Sequence, residues 1–408
     1  MGDILFLAHR MPFPPDRGDK IRSHHLLRAL ARVAPVHVGT FTESASDREQ
    51  EQALAELART YILPRRRKSL ARAAVEALAS SQPVSLTAFE DRRLREWVRT
   101  TLAGHPIDTI VIFSGQMGQY VPDEYADRVI IDLCDVDSAK FSGYARDAAL
   151  PRRWLYTREE RLLAAEEERL ARRADRTLLI SESELELFQT RLQDPTDISL
   201  EALGNGVDTE FFDPEATCPH PEIAGSQAAQ FLFAGQMDYP PNIAAAMRFA
   251  KTILHAIRSK HEAQFHIVGR APTSQVKALA SLPGVRVWGE VSDIRPFLVA
   301  ADAVVAPLTL GRGVQNKVLE AMAMARPILL SPEAATGIAA RDGEHFRICR
   351  NDEAFAAAAD DLLRDPQAAR SMGDAARNVV VEHMSWAAFY ADVGRLAGGS
   401  PARSRHAA

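Results

Sequence analysis

The stretch GVQNKVLEAMAMARPILLS, from Gly313 to Ser331, is the most informative part of the chain. It predicts a glycine-opened loop, a helix over about Asn316–Met324, a stop at Pro327 and then a buried apolar strand. Lys317 and Glu320 are three positions apart and share one helical face near the amino end, where free N–H groups favour a phosphate. We expect the lysine to meet a diphosphate and the glutamate to meet ribose hydroxyls. A surface ion pair on an ordinary helix is the alternative.

Strands and helices alternate along the chain in two series. Short apolar segments between helical patterns indicate parallel sheets with helical crossovers, and two such series indicate two doubly wound α/β domains. The predicted strands are Asp3–Ala8, Val36–Phe41, Asp108–Phe113, Val129–Leu133 and Arg176–Ser181 in the first series, then Phe231–Gly235, Phe265–Gly269, Val285–Trp288, Ala303–Ala306 and Ile328–Ser331. Predicted helices include Asp19–Arg32, Arg152–Arg173, Asn242–Ser259, Thr273–Ser281, Ile294–Ala300, Asp352–Arg364, Pro366–Val381 and Ser385–Leu396.

The turn-rich segment Leu203–Asp208 marks a domain boundary. We predict an amino-terminal domain over residues 1–203, a carboxyl-terminal domain over residues 204–384 and a disordered tail over residues 398–408. Ligands of open parallel sheets bind beyond the carboxyl ends of the strands. Site residues are therefore expected in the loops that follow strands, on two sheets that face each other across a cleft.

Composition and motifs exclude several classes of protein. A net charge of -5 argues against bulk nucleic-acid binding, and no apolar run is long enough to span a membrane. The amino terminus lacks the basic leader of a signal peptide, and three scattered cysteines suit a reducing compartment, so we predict a cytoplasmic protein. The chain has no HExxH motif, and no GxGxxG motif follows the first strand, which argues against a dinucleotide oxidoreductase.

A basic cluster runs from Arg65 to Arg72 and continues into the apolar sequence AAVEALA. Such a pattern suits peripheral contact with anionic lipid headgroups, here at the inner face of the plasma membrane. A solvated helix face is the alternative.

Polar residues follow the strands of the first domain. His9 comes directly after the first strand, and Ser114 follows a later one. Gly18 precedes a helix, where a glycine lets a ligand approach the backbone. Asp135 and Asp137 could hold a divalent metal on a diphosphate. We favour instead an aspartate that accepts a hydrogen bond from a sugar or acceptor hydroxyl, with no obligatory metal.

In the second domain, Gly235 would allow close approach to the backbone, and Asn242 could cap the following helix. Gly269 and Arg270 follow the next strand, and Arg270 could face either a ligand or solvent. Arg312 and Lys317 together would neutralise a diphosphate.

The whole chain resembles the GT-B fold, specifically the family 4 retaining glycosyltransferases. Closest in pattern are the sugar transferases associated with bacterial exosortase (PEP-CTERM) systems, which are linked to exopolysaccharide synthesis. The segments that carry the resemblance are LGNGVDTEFFDP (Leu203–Pro214), FLFAGQMDYPPN (Phe231–Asn242), FHIVGRAP (Phe265–Pro272), GVRVWGEVSDIRPFLVAADAVVAPL (Gly284–Leu308), GVQNKVLEAMAMARPIL (Gly313–Leu329) and, for the closer match, HRMPFPPDRGDKIRSHHLL and IDLCDVDSAKF.

The resemblance implies two Rossmann-like domains, a nucleotide-diphosphate-sugar donor (UDP- or GDP-sugar) held mainly by the second domain, and a glycan or lipid-linked acceptor. Trp386 matches the segment where the chain returns, so a helix over about residues 385–397 should pack back on the first domain. The predicted site comprises Lys317, Arg312 and Asp135 for catalysis, Gly18, Gly235, Gly269, Gly313, Val314, Gln315 and Glu320 for the donor, and His9, Arg17, Ser114 and Asp137 for the acceptor or sugar.

The chain departs from the family pattern at several positions. Arg312 stands where a second glutamate is common, Gln236 replaces a common arginine, and Ala325 replaces a common glycine. The region Ser114–Gln116 replaces a first-domain histidine. Two alternatives to a transferase therefore stay open: a nucleotide-sugar epimerase of the same fold, and a non-catalytic nucleotide-sugar-binding protein.

Overall fold

The computed structural model describes residues 2–310 and 314–398. They form two compact units, which are named here unit 1 (Met1–Asn205 and the segment from Phe389 onward) and unit 2 (Gly206–Ala388). The predicted tail lies outside the described residues from position 399, and so do the predicted site residues Arg312 and Gly313.

Unit 1 is built on a sheet of seven parallel strands in the order β3-β2-β1-β4-β5-β6-β7. The strands are β1 (Asp3–Ala8), β2 (Val36–Thr40), β3 (Ala58–Ile62), β4 (Ile107–Phe113), β5 (Arg128–Cys134), β6 (Arg176–Leu179) and β7 (Leu200–Ala202). Its helices are α1 (Gly18–Ala31), α2 (Ala45–Glu49), α3 (Glu51–Ala55), α4 (Leu70–Ser80), α5 (Val84–Ala88), α6 (Arg92–Gly104), α7 (Asp137–Asp147), α8 (Arg152–Arg173) and α9 (Glu182–Arg191). Helices cover both faces, so the central strands are almost wholly apolar.

Unit 2 is built on a sheet of six parallel strands in the order β10-β9-β8-β11-β12-β13. The strands are β8 (Ala229–Ala234), β9 (Ala263–Val268), β10 (Val285–Gly289), β11 (Ala303–Ala306), β12 (Ile328–Leu330) and β13 (Arg347–Ile348). Its helices are α10 (Pro221–Ala224), α11 (Pro240–Arg248), α12 (Leu254–Arg258), α13 (Ser274–Ala278), α14 (Arg295–Ala300), α15 (Asn316–Ala323), α16 (Pro332–Ala335), α17 (Asp352–Arg364) and α18 (Pro366–His383). A last helix, α19 (Trp386–Gly398), runs into the part of the chain assigned to unit 1.

Each sheet has one point where the strand order reverses, between β1 and β4 in unit 1 and between β8 and β11 in unit 2. Loops that leave neighbouring strands in opposite directions open a crevice there, so the carboxyl edge at these two points is where a ligand is expected.

The two chain segments that connect the units run side by side. The amide of Val207 donates to the carbonyl of Met384 at 2.8 Å, and the amide of Trp386 donates to the carbonyl of Val207 at 3.2 Å. Gly206 makes this pairing feasible, because a Cβ there would lie 2.5 Å from the Trp386 nitrogen.

The predicted strand at Ala303–Ala306 and the helices at Arg152–Arg173 and Asp352–Arg364 have the predicted bounds. Three strands were not predicted: β3, β7 and β13. All three are edge strands. β7 and β13 are only three and two residues long, and most side chains of the three strands are at least partly exposed. Strands so short or so exposed lack the apolar pattern on which prediction depends.

The predicted role of Asn242 as a helix cap is wrong. The helix α11 begins at Pro240, with Tyr239 in the capping position. Proline is favoured at the first helical position because its ring fixes φ and its missing N–H would have no partner there. Asn242 therefore lies inside the first turn, and its side chain is available for other contacts.

Ala325, which follows α15, adopts φ of 53° in the left-handed region. A residue with a Cβ is strained there and glycine is not. Ala325→Gly should therefore raise the free energy of unfolding by up to about 1 kcal/mol, whereas Ala321→Gly inside α15 should lower it by about 1 kcal/mol or more. Chemical denaturation of the two variants checks the opposite signs, and a destabilised Ala325→Gly variant would contradict the strain.

Within residues 2–310 and 314–398, the structure contains no helix with the length and hydrophobicity needed to cross a bilayer.

Candidate functional site

Lys317 lies at the reversal point of the unit 2 sheet. It is the second residue of α15, and its Nζ lies 2.5 Å from Asn242 Oδ1 and 5.0 Å from the centre of the Phe233 ring. Asn242 in turn donates from Nδ2 to the carbonyl of Gln236 at 2.9 Å. The ammonium is thus held at the carboxyl end of β8 by a neutral oxygen and an aromatic face.

Lys317 and Glu320 do not form a surface ion pair, since both are partly buried and the contact of Lys317 is with Asn242. Burial lowers the pKa of Lys317 to about 8, although Glu320 opposes the shift. Burial also raises the pKa of Glu320, and Lys317 opposes that shift. A cation kept from water beside a neutral acceptor gains most from an incoming anion.

Gly235 and Gly269 have packing reasons to be glycines. A Cβ at Gly235 would lie 2.9 Å from Asn242 Nδ2 and 3.3 Å from Lys317 Nζ. A Cβ at Gly269 would lie 1.6 Å from the carbonyl oxygen of Gly235, which no side chain can tolerate. The two glycines therefore let the ends of β8 and β9 pack together beneath Lys317.

Arg270 belongs to the same edge of unit 2. Its Nη2 lies 3.0 Å from Gln236 Oε1, and its carbonyl accepts a hydrogen bond from the amide of Met237 at 2.9 Å. Gln236, which stands where the family often has an arginine, thus holds an exposed arginine from the next loop. The orientation of Arg270 is not predictable from the sequence, because the contact depends on two loops that are adjacent only in the folded sheet.

Val314 and Gln315 lead into α15. Gln315 is the capping residue, and its carbonyl accepts from the amide of Val318 at 2.8 Å. Val314 packs against the core of unit 2. The two residues thus form the last part of the loop that enters α15 just before Lys317.

In unit 1, His9 and Arg17 converge on Asp19 at the end of β1. His9 Nε2 lies 3.5 Å from Asp19 Oδ2, and Arg17 Nε lies 3.4 Å from Asp19 Oδ1. Arg10 Nη1 lies 2.6 Å from the same carboxylate. Burial tends to raise the pKa of Asp19, but hydrogen bonds from His9 and Arg10 outweigh it and lower the pKa well below the usual range.

His9 is buried, and its ring stacks on Phe113 with centroids 5.6 Å apart. Its Nδ1 has no hydrogen-bond partner among the described residues. Gly18 begins α1 beside this group, and a Cβ there would meet no atom within 4 Å. The structure thus brings His9, Arg17 and Gly18 together at the reversal point of unit 1.

Asp135 and Asp137 share one cation. Lys140 Nζ lies 2.9 Å from Asp135 Oδ2 and 3.0 Å from Asp137 Oδ1. Burial opposes a charged Lys140, but the two carboxylates raise its pKa. The ammonium of Lys140 therefore supplies the positive charge that a divalent metal would bring to these two carboxylates. Ser114 reaches this group through Gln116, which accepts from Ser114 Oγ and donates to Asp137 Oδ2 at 3.3 Å.

The backbone is strained where β4 and β5 end. Ser114 has φ of 76° and Cys134 has φ of 66°, both in the left-handed region although neither is glycine. Such strain persists only where surrounding structure fixes it, and it clusters at functional sites. It marks the carboxyl edge of unit 1 beside Asp135.

Two other groups of residues lie at the opposite, amino-terminal edges. Asp3, His37 and His105 could be ligands of a metal, but Arg59 already lies 2.9 Å from Asp3, so its charge disfavours a cation. A cavity of about 350 Å³ in unit 2 is lined partly by Phe231, Ala303 and Pro327, near the starts of strands. Neither lies at the edge where a ligand of this fold is expected.

Residues 228–365 match the family model described as glycosyl transferases group 1. The matched residues all lie within unit 2. The match covers α15 and both loops at the reversal point of the sheet. No curated protein sequence is significantly similar to the chain.

Solved structures with the same fold align over nearly the whole chain. Sucrose-phosphate synthase from Thermosynechococcus elongatus is 17% identical, with 98% of each chain covered and a TM-score of 0.60. HepE of Anabaena, solved in complex with UDP, is 13% identical, with 98% of this chain and 100% of that chain covered and a TM-score of 0.62. WaaG, a glycosyltransferase involved in lipopolysaccharide biosynthesis, is 16% identical, with coverage of 97% and 100% and a TM-score of 0.59. The predicted GT-B fold is confirmed, and the chain is a glycosyltransferase by its domain.

Proposed function

We propose that the protein transfers a sugar from a nucleotide-diphosphate-sugar to a hydroxyl of a glycan or lipid-linked acceptor. The observation that carries this proposal is the Lys317 ammonium, which is held at the reversal point of unit 2 by Asn242, three residues before Glu320. HepE, a neighbour by fold, has also been solved in complex with UDP-glucose, which supports a UDP-sugar as the first donor to test.

The chemistry required is the stabilisation of a leaving diphosphate while positive charge grows on the anomeric carbon. Lys317 and the amino end of α15 would receive that charge, and Arg270 extends the cationic edge. Arg312 is proposed to join them. Glu320 would accept hydrogen bonds from the ribose hydroxyls, and His9, Arg17 and Asp137 would serve the acceptor or sugar.

We further propose that the reaction retains the anomeric configuration and needs no metal. In the resembling family the leaving phosphate itself takes the acceptor proton, so no protein nucleophile is needed. Lys317 and Arg270 would supply the positive charge that a metal supplies elsewhere. Product stereochemistry by NMR and turnover in the presence of EDTA test these two parts.

We place this activity in exopolysaccharide or surface glycan synthesis at the inner face of the plasma membrane. Leu70 and Val75 on α4 are each 68% exposed, and Leu78 is 47% exposed. Leu70 lies within the basic cluster Arg65–Arg72, and Val75 and Leu78 follow it closely. Exposed apolar side chains beside cations suit a peripheral contact with an anionic membrane.

The test starts with the donor. A thermal-shift screen with UDP, GDP and their common sugars should show stabilisation by one base, and NMR should then show sugar transfer when a panel of acceptors is added. Isomerised donor without an acceptor would favour the epimerase. Donor binding without any turnover would favour the non-catalytic protein. The absence of any nucleotide binding would contradict the proposal.

Donor binding should depend on pH through Lys317. Its pKa of about 8 in the free protein means that the ammonium loses its proton as pH rises through that value. Because the diphosphate binds the ammonium, UDP affinity should fall between pH 7 and 9, approaching tenfold per pH unit above the pKa. Lys317→Arg should bind with little change over this range, since arginine stays charged. If the UDP affinity of Lys317→Arg still fell between pH 7 and 9, the titrating group would be one other than Lys317.

A further inference from the structure

A second cationic site lies in unit 1, at a cavity of about 200 Å³ beside the basic cluster. It is placed by backbone pairing, because the amide of Thr42 donates to the carbonyl of Pro64 and the amide of Arg66 donates to the carbonyl of Thr42. These bonds continue the pairing of β2 with β3 past their carboxyl ends. The cavity is therefore at the edge of the sheet where ligands of this fold bind.

Cations dominate the wall of this cavity. Its charged lining residues are Arg65, Arg66, Arg67, Lys68, Arg72 and Arg93 against Glu90 and Asp91. Lys68 and Arg72 lie 2.8 and 2.7 Å from Glu76, and Arg93 lies 2.8 Å from Asp91. In the described part of the chain, Arg65 and Arg67 have no carboxylate within salt-bridge distance. The site therefore has unneutralised positive charge that an anion can satisfy.

Arg66 is fixed in the wall. Its Nε lies 2.8 Å from Glu43 Oε1, and its guanidinium lies 5.2 Å from the centre of the Phe89 ring. Glu43 is also 3.1 Å from Arg10, which holds Asp19. Burial tends to raise the pKa of Glu43, but Arg10 and Arg66 lower it, so the carboxylate stays charged. A chain of ion pairs thus joins the cavity wall to the group around His9.

We propose that the cavity binds a phosphate group, with Arg65 and Arg67 as the direct ligands. Guanidinium groups match the geometry of phosphate oxygens and bind them in pairs. The proposed function requires an acceptor at unit 1, and the phosphate site assigns that acceptor to the compounds that carry a phosphate. In this respect the inference rests on the proposed function. The same phosphate could belong to a soluble acceptor or to a lipid headgroup.

The direct test compares the wild type with Arg65→Gln/Arg67→Gln. Calorimetry with inorganic pyrophosphate, in the presence of saturating UDP, reports binding away from the donor site. Sedimentation with phosphatidylcholine vesicles, with and without phosphatidylglycerol, reports binding of a headgroup. We expect the double variant to bind at least one of these probes about tenfold more weakly or worse, because it loses two charge-assisted contacts. The probe that is affected identifies the source of the phosphate.

Arg99→Gln/Arg161→Gln is the matched control, since both arginines are exposed in unit 1 and it removes the same charge. The control should change either affinity by less than about twofold. Equal losses in the two double variants, or no loss in Arg65→Gln/Arg67→Gln, would overturn the phosphate site. A titration with UDP alone separates this inference from the proposed function. If UDP binds normally but Arg65→Gln/Arg67→Gln loses no affinity for either probe, only the phosphate site is refuted. If UDP does not bind at all, the proposed function is refuted.

Discussion

Lys317→Ala is expected to lower kcat by about 10²–10³, the range seen when one preorganised group that stabilises developing charge is removed. Donor binding should weaken less, because the ammonium acts most strongly on the charge that grows as the diphosphate leaves. Steady-state kinetics with the donor found in the screen measure both effects. The fold should survive, since the variant removes a partly buried charge whose neighbour Asn242 keeps its bond to Gln236.

Lys277→Ala is the matched control for this experiment. Lys277 is an exposed lysine on α13 in the same unit, so its loss changes the net charge equally. It should leave kcat within about twofold of the wild-type value. Wild-type turnover by a folded Lys317→Ala variant would remove Lys317 from the chemistry.

Glu320→Ala should raise the donor KM by about 10- to 100-fold, which corresponds to hydrogen bonds to a charged group worth about 1.5–3 kcal/mol. The expected loss is in binding because the ribose keeps its hydroxyl groups throughout the reaction. Glu320→Gln keeps the shape of the side chain but not its charge, so its donor KM should lie between the values of the wild type and the alanine variant. Removal of a ribose hydroxyl from the donor should cost less affinity in the Glu320→Ala variant than in the wild type, because the variant has already lost the hydrogen-bond acceptor. An unchanged KM would place Glu320 outside the site.

Sequence patterns predicted the central strands well because both faces of each sheet are covered, which makes the strands continuously apolar. The same logic fails at the sheet edges, where β7 and β13 are too short to carry a pattern. The helix that contains Lys317 and Glu320 was also predictable, because its apolar positions and the following Pro327 are local signals.

The environment of the site was less predictable than its residues. Asn242 contacts Lys317 across 75 positions of sequence, and Arg270 reaches Gln236 from a neighbouring loop. Such contacts follow from the order of the strands rather than from spacing. The neutralisation of Asp137 by Lys140 had a local signal, since the two are three residues apart on α7.

The most direct test of the account is a crystal structure of the protein soaked with UDP. We predict that the diphosphate lies within hydrogen-bond distance of Lys317 Nζ and that the ribose hydroxyls contact the carboxylate of Glu320. UDP bound elsewhere on the protein, with Lys317 still held only by Asn242, would contradict the central claim.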